Sequence, residues 1–411
     1  MRILHTADWH LGKKLSEKSR YDEQKAVLRE ITEIADREQI DLVLLAGDLF
    51  DTFAPAPEAE DLLYSTLKIL TANGRRPVVA IAGNHDNPDR IEAQDHFARE
   101  CGIVFVGYPK TMVKLNALSC EAKLLHSEPG FVEIQLPGFD YPVRIILTPY
   151  ANETRLRQAF LDLENPDDEL RNHLHQHWQR LADLYMDDVG VNLLTAHLFM
   201  MKRGEKQPDE PDDERSIVQV GGASVLFTDL IPKQIQYVAL GHLHRYHQIG
   251  GGPCPVVYSS SPLAYSFAEA NQQKYVVVID AEPGKPIVVT PIELQNGRKL
   301  LRKTFTEVEK ALGWLRENPE CFPEITIQTP TFLSSDEHRE LTQAHERFAG
   351  VRLEVREAET TAIETTSPQI DLSQSMTDLF AGYFKSRHNQ EPNPQLLTLF
   401  QEVLQVPITT P

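Results

Sequence analysis

The sequence lacks an apolar run of 18 residues, the length a helix needs to cross a bilayer, so no membrane-spanning segment is expected. Its opening, MRILHTADWH, carries one Arg and reaches a His after four residues. The apolar segment and small-residue cleavage site of a secretory signal are absent there, and the expected location is the cytoplasm. Cysteine is scarce. Cys101, Cys120, Cys254 and Cys321 are far apart and form no C-x-x-C pair, which speaks against a zinc knuckle or a disulfide framework and leaves them as reduced packing residues. Net positive charge is missing as well. At -19 the chain is a poor match for a phosphate backbone unless bound divalent cations, local basic patches or a basic partner reverse the field.

What is present is a chain of 411 residues, 41% hydrophobic and 25% charged, long enough for one large domain with appendages. Runs rich in Val, Ile and Leu recur at 41–46, 78–82, 192–196 and 237–240, and each stops at a polar cluster. Between them, 21–39 and 58–72 have apolar residues at helical spacing and read as covering helices, so the pattern is α/β. The stretch 202–215 has no large apolar side chain and reads as a surface loop. From about 255 short runs separated by turn residues suggest antiparallel strands closing the large domain near 295. In 299–356, Thr306 with Glu309 and Ser334 with Glu337 form capping-box patterns, and Gly350 stands where a helix would stop. After a polar stretch at 360–374, two amphipathic helices are expected on the stripes Met376, Leu379, Phe380, Tyr383, Phe384 and Leu396, Leu399, Phe400, Val403, Leu404, which either bury against each other as a self-contained hairpin or dock on a partner.

Each apolar run is followed by potential metal ligands. DWH places Asp8 and His10 on one side of an extended chain with Trp9 between them; GDLFD, GNHD, the lone His197 of TAHL and GHLH follow the other runs. Strands of one sheet finish side by side, so groups at their ends converge. Carboxylates, imidazoles and one amide oxygen suit a pair of Mn, Fe or Zn class ions better than calcium or structural zinc. Two such ions, about 3.5–4 Å apart, are an arrangement for hydrolysing phosphate esters, and Asp48, following Gly47, is the best candidate to bridge them. The HLHQH of 173–177 reads instead as a solvated helix surface.

In this order DWHLG, GDLFD, GNHD, a strand-end His and GHLH resemble the calcineurin-like metallophosphoesterases. With HTADWHLGK and YSSSPLAYSF the chain is more narrowly similar to the SbcD-type nuclease subunits of double-strand-break processing complexes. The resemblance implies a four-layer αββα metallophosphoesterase sandwich over 1–295, a small α/β capping domain that positions DNA over 296–360, and a linker with C-terminal helices over 361–411. It implies that Asp8, His10, Asp48 and His244 hold one ion, most readily Mn2+, while Asp48, Asn84, His197 and His242 hold the other. His85 would contact the scissile phosphate or protonate the leaving oxygen, with Asp86 orienting it. Exonuclease action on double-stranded ends and endonuclease action on single strands or hairpins would follow.

The implied partners are DNA, an SbcC-like SMC-type ATPase gripped by the terminal helices, and a second copy, through helices near 58–72 and 88–100, within a heterotetramer. Lys13, Lys14, Lys18 and Arg20, and again Arg298, Lys299, Arg302 and Lys303, could track a phosphate backbone, although runs of this kind are usually solvated faces. The segment expected to read YSGSP reads YSSSP, Ser260 replacing a permissive glycine, and His247 follows GHLH where no ligand is expected. Rival readings are hydrolysis of a small phosphodiester or a phosphoprotein on the same metal scaffold, and a non-catalytic protein that bridges DNA.

Overall fold

The computed structural model describes residues 1–15, 18–114, 121–156, 166–205, 225–270, 272–329 and 333–355, with 376–377, 379–381, 384, 392, 397 and 400. The chain divides into two units, Met1–Arg356 and Glu357–Pro411.

In the first unit two sheets lie face to face. One runs through six strands: Val288–Glu293, Tyr275–Asp280, Arg2–Thr6, Leu42–Ala46, Val78–Ile81 and Ile103–Val106. Its last four are parallel, while Tyr275–Asp280 is antiparallel to both of its neighbours. The other has seven, with Val143–Thr148, Val191–His197, Tyr237–Gly241 and Val256–Ser259 parallel at its centre. Successive side chains of a strand point to opposite faces. Leu42 and Leu44 therefore enter the layer between the sheets with Ile145 and Leu193, while Val43 and Leu45 turn outward beneath helices Tyr21–Arg37 and Pro57–Leu70. On the far side Ile146 and Leu194 pack against Leu174, Trp178 and Leu181 of helix Pro166–Tyr185. Buried on both faces, these strands need continuous apolar runs, which is why they stand out in the sequence. The layering is helix, sheet, sheet, helix.

Leu300–Phe305, Phe322–Thr329 and Gly350–Val355 form a parallel three-stranded sheet crossed by helices Val308–Glu317 and Ser335–Ala344. Ala311, Leu315, Ile325, Ile327, Leu341 and Phe348 make its own core. The Ser334–Glu337 capping box forms. The Thr306–Glu309 box does not: the helix starts at Val308 and Glu307, which caps it, makes no side-chain cap bond. Nor does Gly350 stop a helix. The preceding helix has ended at Ala344, and Gly350 opens a strand. Leu15, Phe267, Leu300 and Phe322 cluster where this sheet meets the larger body.

Among the described residues, no helix is long and apolar enough to cross a membrane. Residues 206–215 of the charged stretch and the stretch 360–374 lie outside the described residues. In the second unit Phe380 stacks on Phe400 with ring centroids 4.0 Å apart and lies 6.0 Å from Phe384. Members of the two expected stripes thus touch each other. Leu379 is half-buried and Met376 is 57% exposed, while Tyr383, Leu396, Leu399, Val403 and Leu404 lie outside the described residues.

Candidate metal centre

Five strand ends meet at one edge of the two sheets. After Thr6 the chain bends so that Asp8 N donates to Gly47 O at 2.9 Å and His10 N to Asp48 O at 3.0 Å, tying the first loop to the second. Trp9 turns into the core, its indole N–H donating to Thr6 Oγ1 at 2.9 Å, and the two flanking side chains are aimed the other way. Asp8, His10, Asp48 and His242 all adopt left-handed backbone with φ of 55°, 42°, 49° and 99°. Such conformations cost non-glycine residues about 1–3 kcal/mol each, and they cluster where side chains must converge.

Two glycines let the sheets close. A Cβ on Gly47 would stand 2.2 Å from His197 Nδ1, and one on Gly241 would stand 1.9 Å from Ala46 O. With both positions bare, His197 reaches across and its Nδ1–H donates to Ala46 O at 2.9 Å, which turns Nε2 toward Asp48 and Asn84. That nitrogen lies 3.3 Å from Asp48 Oδ2 and 2.9 Å from Asn84 Oδ1, and His242 Nδ1 is 3.0 Å from the same amide oxygen. On the other side of Asp48, its Oδ2 is 3.5 Å from His10 Nε2, which is 3.0 Å from His244 Nε2. Asp8, 0% exposed, accepts His242 N on Oδ1 at 2.9 Å. The seven expected ligands are therefore all in one cluster, with Asp48 between two groups of nitrogen and oxygen donors.

The electrostatics suit a cation. Burial pushes the Asp8 carboxyl up to about 6. Burial would raise Asp48 too, but His197 and His10 hold it well below the carboxylate range. His197, which burial alone would lower, is lifted to about 9 chiefly by Asp48, whereas burial takes His242 down to about 3 and His10 well below its ordinary value. Among the described residues, Asp8 Oδ2, His10 Nδ1 and His242 Nε2 are buried without a hydrogen-bond partner. Buried polar atoms are otherwise almost always satisfied, so a site that gathers such atoms beside close imidazole nitrogens and a central carboxylate fits divalent metal ions. Ligand atoms of Asp8, His10 and His244, and again of Asp8, Asp48 and His197, lie within 4.8 Å of one another.

His85 stands at the half-exposed edge of this cluster, its ring 4.8 Å from that of His10. The group that orients it corrects the sequence expectation. The Asp86 carboxylate is not hydrogen-bonded to the imidazole. Its buried carboxylate accepts Leu49 N and Phe50 N from one loop and Gly83 N from its own, at 2.8–3.0 Å. Burial pushes it up to about 6 against the pull of those three amides. Asp86 is thus the pin between the GDLFD and GNHD loops. The His85 ring is held by Asp51, whose carbonyl accepts Nδ1–H at 2.8 Å, leaving Nε2 for other partners. Arg155 supports the same loop from below, donating to Gly83 O and Asp86 O.

Sequence reasoning passed over Glu269 and Lys274. Glu269 Oε1 lies 3.2 Å from His244 Nδ1 and accepts Tyr265 N, while Lys274 Nζ donates to Glu269 Oε2, to His244 O at 2.7 Å and to Ser261 Oγ at 3.0 Å. Both are buried, and Tyr265 OH of the same loop donates to Trp9 O. A Glu and a Lys five residues apart just after YSSSPLAYSF were the available signal. Ser260 of that segment has φ 80°, the left-handed backbone that glycine adopts without strain.

Of the basic residues, Arg20 is a correction. Its guanidinium is buried, donates to Glu23 and to Ala264 O and lies over the Phe322 ring, so it joins the small sheet to the body and cannot reach a phosphate. Lys13 donates to Asp51 Oδ1 at 2.8 Å beside the centre. Lys14, Lys18, Lys299, Arg302 and Lys303 are exposed. Arg302 pairs with Glu324, half-buried Arg298 pairs with Glu320, and Lys303 lies over Trp314. The 173–177 histidines are not a solvated face: all three are half-buried and His175 Nδ1 bonds Leu230 O.

A family model described as calcineurin-like phosphoesterase matches residues 1–246. Three curated relatives are each named as the SbcD component of the nuclease SbcCD. That of Bacillus subtilis is 33% identical over 98% of this chain and 97% of its own. That of Staphylococcus epidermidis is 30% identical over 73% and 71%, and that of Rhodobacter capsulatus 31% over 69% and 67%.

Proposed function

The chain belongs to the calcineurin-like phosphoesterases and, within them, to the SbcD family of nuclease components, and from that premise we propose that it is a metal-dependent DNA nuclease working with an SbcC-like ATPase. The observation that carries the reading is the convergence of five strand ends on Asp48, with imidazole nitrogens on both sides of its Oδ2. In this reading Asp8, His10, Asp48 and His244 hold one ion, and Asp48, Asn84, His197 and His242 hold the other, with Mn2+ the expected metal. When bound, such a pair of ions lowers the pKa of water and offsets the charge that builds on the phosphoryl oxygens.

The chain's own residues supply the rest. His197 and His244 give their Nδ1–H to Ala46 O and Glu269, so each presents Nε2 as a donor to the centre. His85, with Nδ1–H committed to Asp51 O, keeps Nε2 available to contact the scissile phosphate or to give a proton to the leaving oxygen. Asp86 keeps the two loops at the spacing this needs. Residues 1–295 are read as the nuclease domain, 296–360 as the cap that positions DNA, and 361–411 as the segment that grips the ATPase. Double-strand exonuclease and single-strand or hairpin endonuclease action are the expected activities. Ile69 and Phe97, 61% and 79% exposed on the helices expected to pair two copies, support a homodimer within a heterotetramer.

The test is cleavage, with Mn2+, of linear DNA, hairpin DNA and a small phosphodiester by the wild type, Asp48→Asn and His85→Gln. Asp48→Asn is expected to lose metal and activity together, whereas His85→Gln keeps the metals and turns over slowly. Cleavage of the small ester with DNA left intact would overturn the nuclease reading.

A further inference from the structure

We propose that Glu269 and Lys274 are positioning residues for one metal position only, the one on the His10 and His244 side of Asp48. The proposal rests on the two-ion reading above. The carboxylate and the ammonium are both buried, and among the described residues their hydrogen bonds all go to the end of the GHLH loop or the loop that wraps it. Glu269 Oε1 faces His244 Nδ1 at 3.2 Å, which fixes the tautomer with the lone pair on Nε2, 3.0 Å from His10 Nε2. Lys274 Nζ meets the carbonyl of the same histidine at 2.7 Å and the hydroxyl of Ser261, whose N–H donates to that carbonyl at 3.2 Å. Ring and main chain of His244 are thus held by one charge-balanced pair.

A buried ion pair is a weak stability device, because desolvation cancels much of its attraction and an apolar pair of similar volume often does as well. Orientation of a neighbour is a better account of why charge is placed here. The contrast with His197 makes the proposal one-sided. That ring is oriented by the Ala46 carbonyl, and among the described residues no side chain of 259–274 hydrogen-bonds it. Loss of Glu269 is therefore expected to weaken one ion and spare the other.

Calorimetric titration of the metal-free full chain with Mn2+ alone tests this. The wild type is expected to bind two ions, and Glu269→Gln to bind one as before and the other 10- to 100-fold more weakly, the usual size of an outer-shell effect. Because that variant leaves Lys274 buried and unpaired, the balanced variant Glu269→Gln/Lys274→Met is titrated beside it and is expected to lose affinity at the same ion. The nitrogen chemical shifts of His244 in the metal-free protein give a readout independent of metal: an Nδ1–H tautomer in the wild type, a mixture in both variants. Two ions bound at wild-type affinity by the folded balanced variant, or an unchanged His244 tautomer, would overturn the inference. A wild type that takes up a single ion overturns the two-ion reading instead, and the inference falls with it only where that ion is indifferent to Glu269→Gln.

Discussion

The two ends of the metal centre are built from different materials. At the His197 end, backbone does the holding: a strand-terminal histidine bonds a carbonyl of the facing sheet, and Gly47 and Gly241 leave the room. At the His244 end, long side chains from an irregular loop do it, through the Glu269–Lys274 pair and Tyr265. A backbone-held ligand is as rigid as the sheets and is damaged mainly by steric intrusion. A ligand held by side chains can be detuned without disturbing the fold.

Intrusion at the backbone end should have the largest effect. Gly241→Ala drives a methyl group into Ala46 O, and a stability loss of about 3 kcal/mol or more is expected in urea unfolding, with metal binding lost as the sheets part. A variant that melts like the wild type would mean the sheets tolerate separation there. His85, held at the edge by Asp51 O, belongs to neither end. His85→Gln should lower kcat on DNA by roughly 10²- to 10⁴-fold while calorimetry finds both ions bound as in the wild type. Equal loss of metal would place His85 among the ligands.

Acid separates the two ends by a smaller margin. His5, buried between Tyr237 OH and Leu240 O on the strand that leads to His242, is taken down by burial from 6.5 to about 3. Its folded value is the lower one, so the unfolded chain binds the extra proton between those limits. The stability present above pH 6.5 is then lost as pH falls toward 3, by at most about 1.4 kcal/mol per unit. Glu269, held below its ordinary 4.5 by Lys274 and His244 against the opposing push of burial, keeps its contribution above that value and loses it only at more acid pH. Melting curves of the metal-free protein between pH 7 and 5 should fall, and fall less for His5→Gln; identical slopes would remove His5 from the account.

The smallest effect concerns the loop of the His244 end. Ser260 is strained at φ 80° but accepts Tyr275 N at 2.9 Å. Ser260→Gly relieves the strain and gives up the bond, so stability should change by less than about 1 kcal/mol. Ser260→Ala gives up the bond and keeps the strain, and should be the worse of the two by about 1–2 kcal/mol in thermal or urea unfolding.

What was legible in the sequence follows the same division. Strands buried on both faces must be apolar runs, so Leu42–Ala46, Val78–Ile81, Val191–His197 and Tyr237–Gly241 announce themselves, and the expected ligands stand at their ends or within a few residues beyond. Partners chosen by folding were not legible. Asp86 looks like a companion of His85 because they are adjacent, yet its carboxylate serves Leu49, Phe50 and Gly83, and Asp51 takes the imidazole. Arg20 lies in a run of surface-like cations but fills a seam beside Glu23 and Phe322. Thr306 matches a capping box two residues before a helix that begins without it.

The sequence by itself determined the layered α/β architecture and the order in which metal-binding groups arrive, because periodicity and strand-end placement are local properties of the chain. Only the tertiary structure decided which of the charged residues face the candidate metal centre, which hold its side chains in place and which are sealed in the core. Burial and pairing of a charge depend on what residues distant in sequence bring beside it, and no window of sequence contains that information.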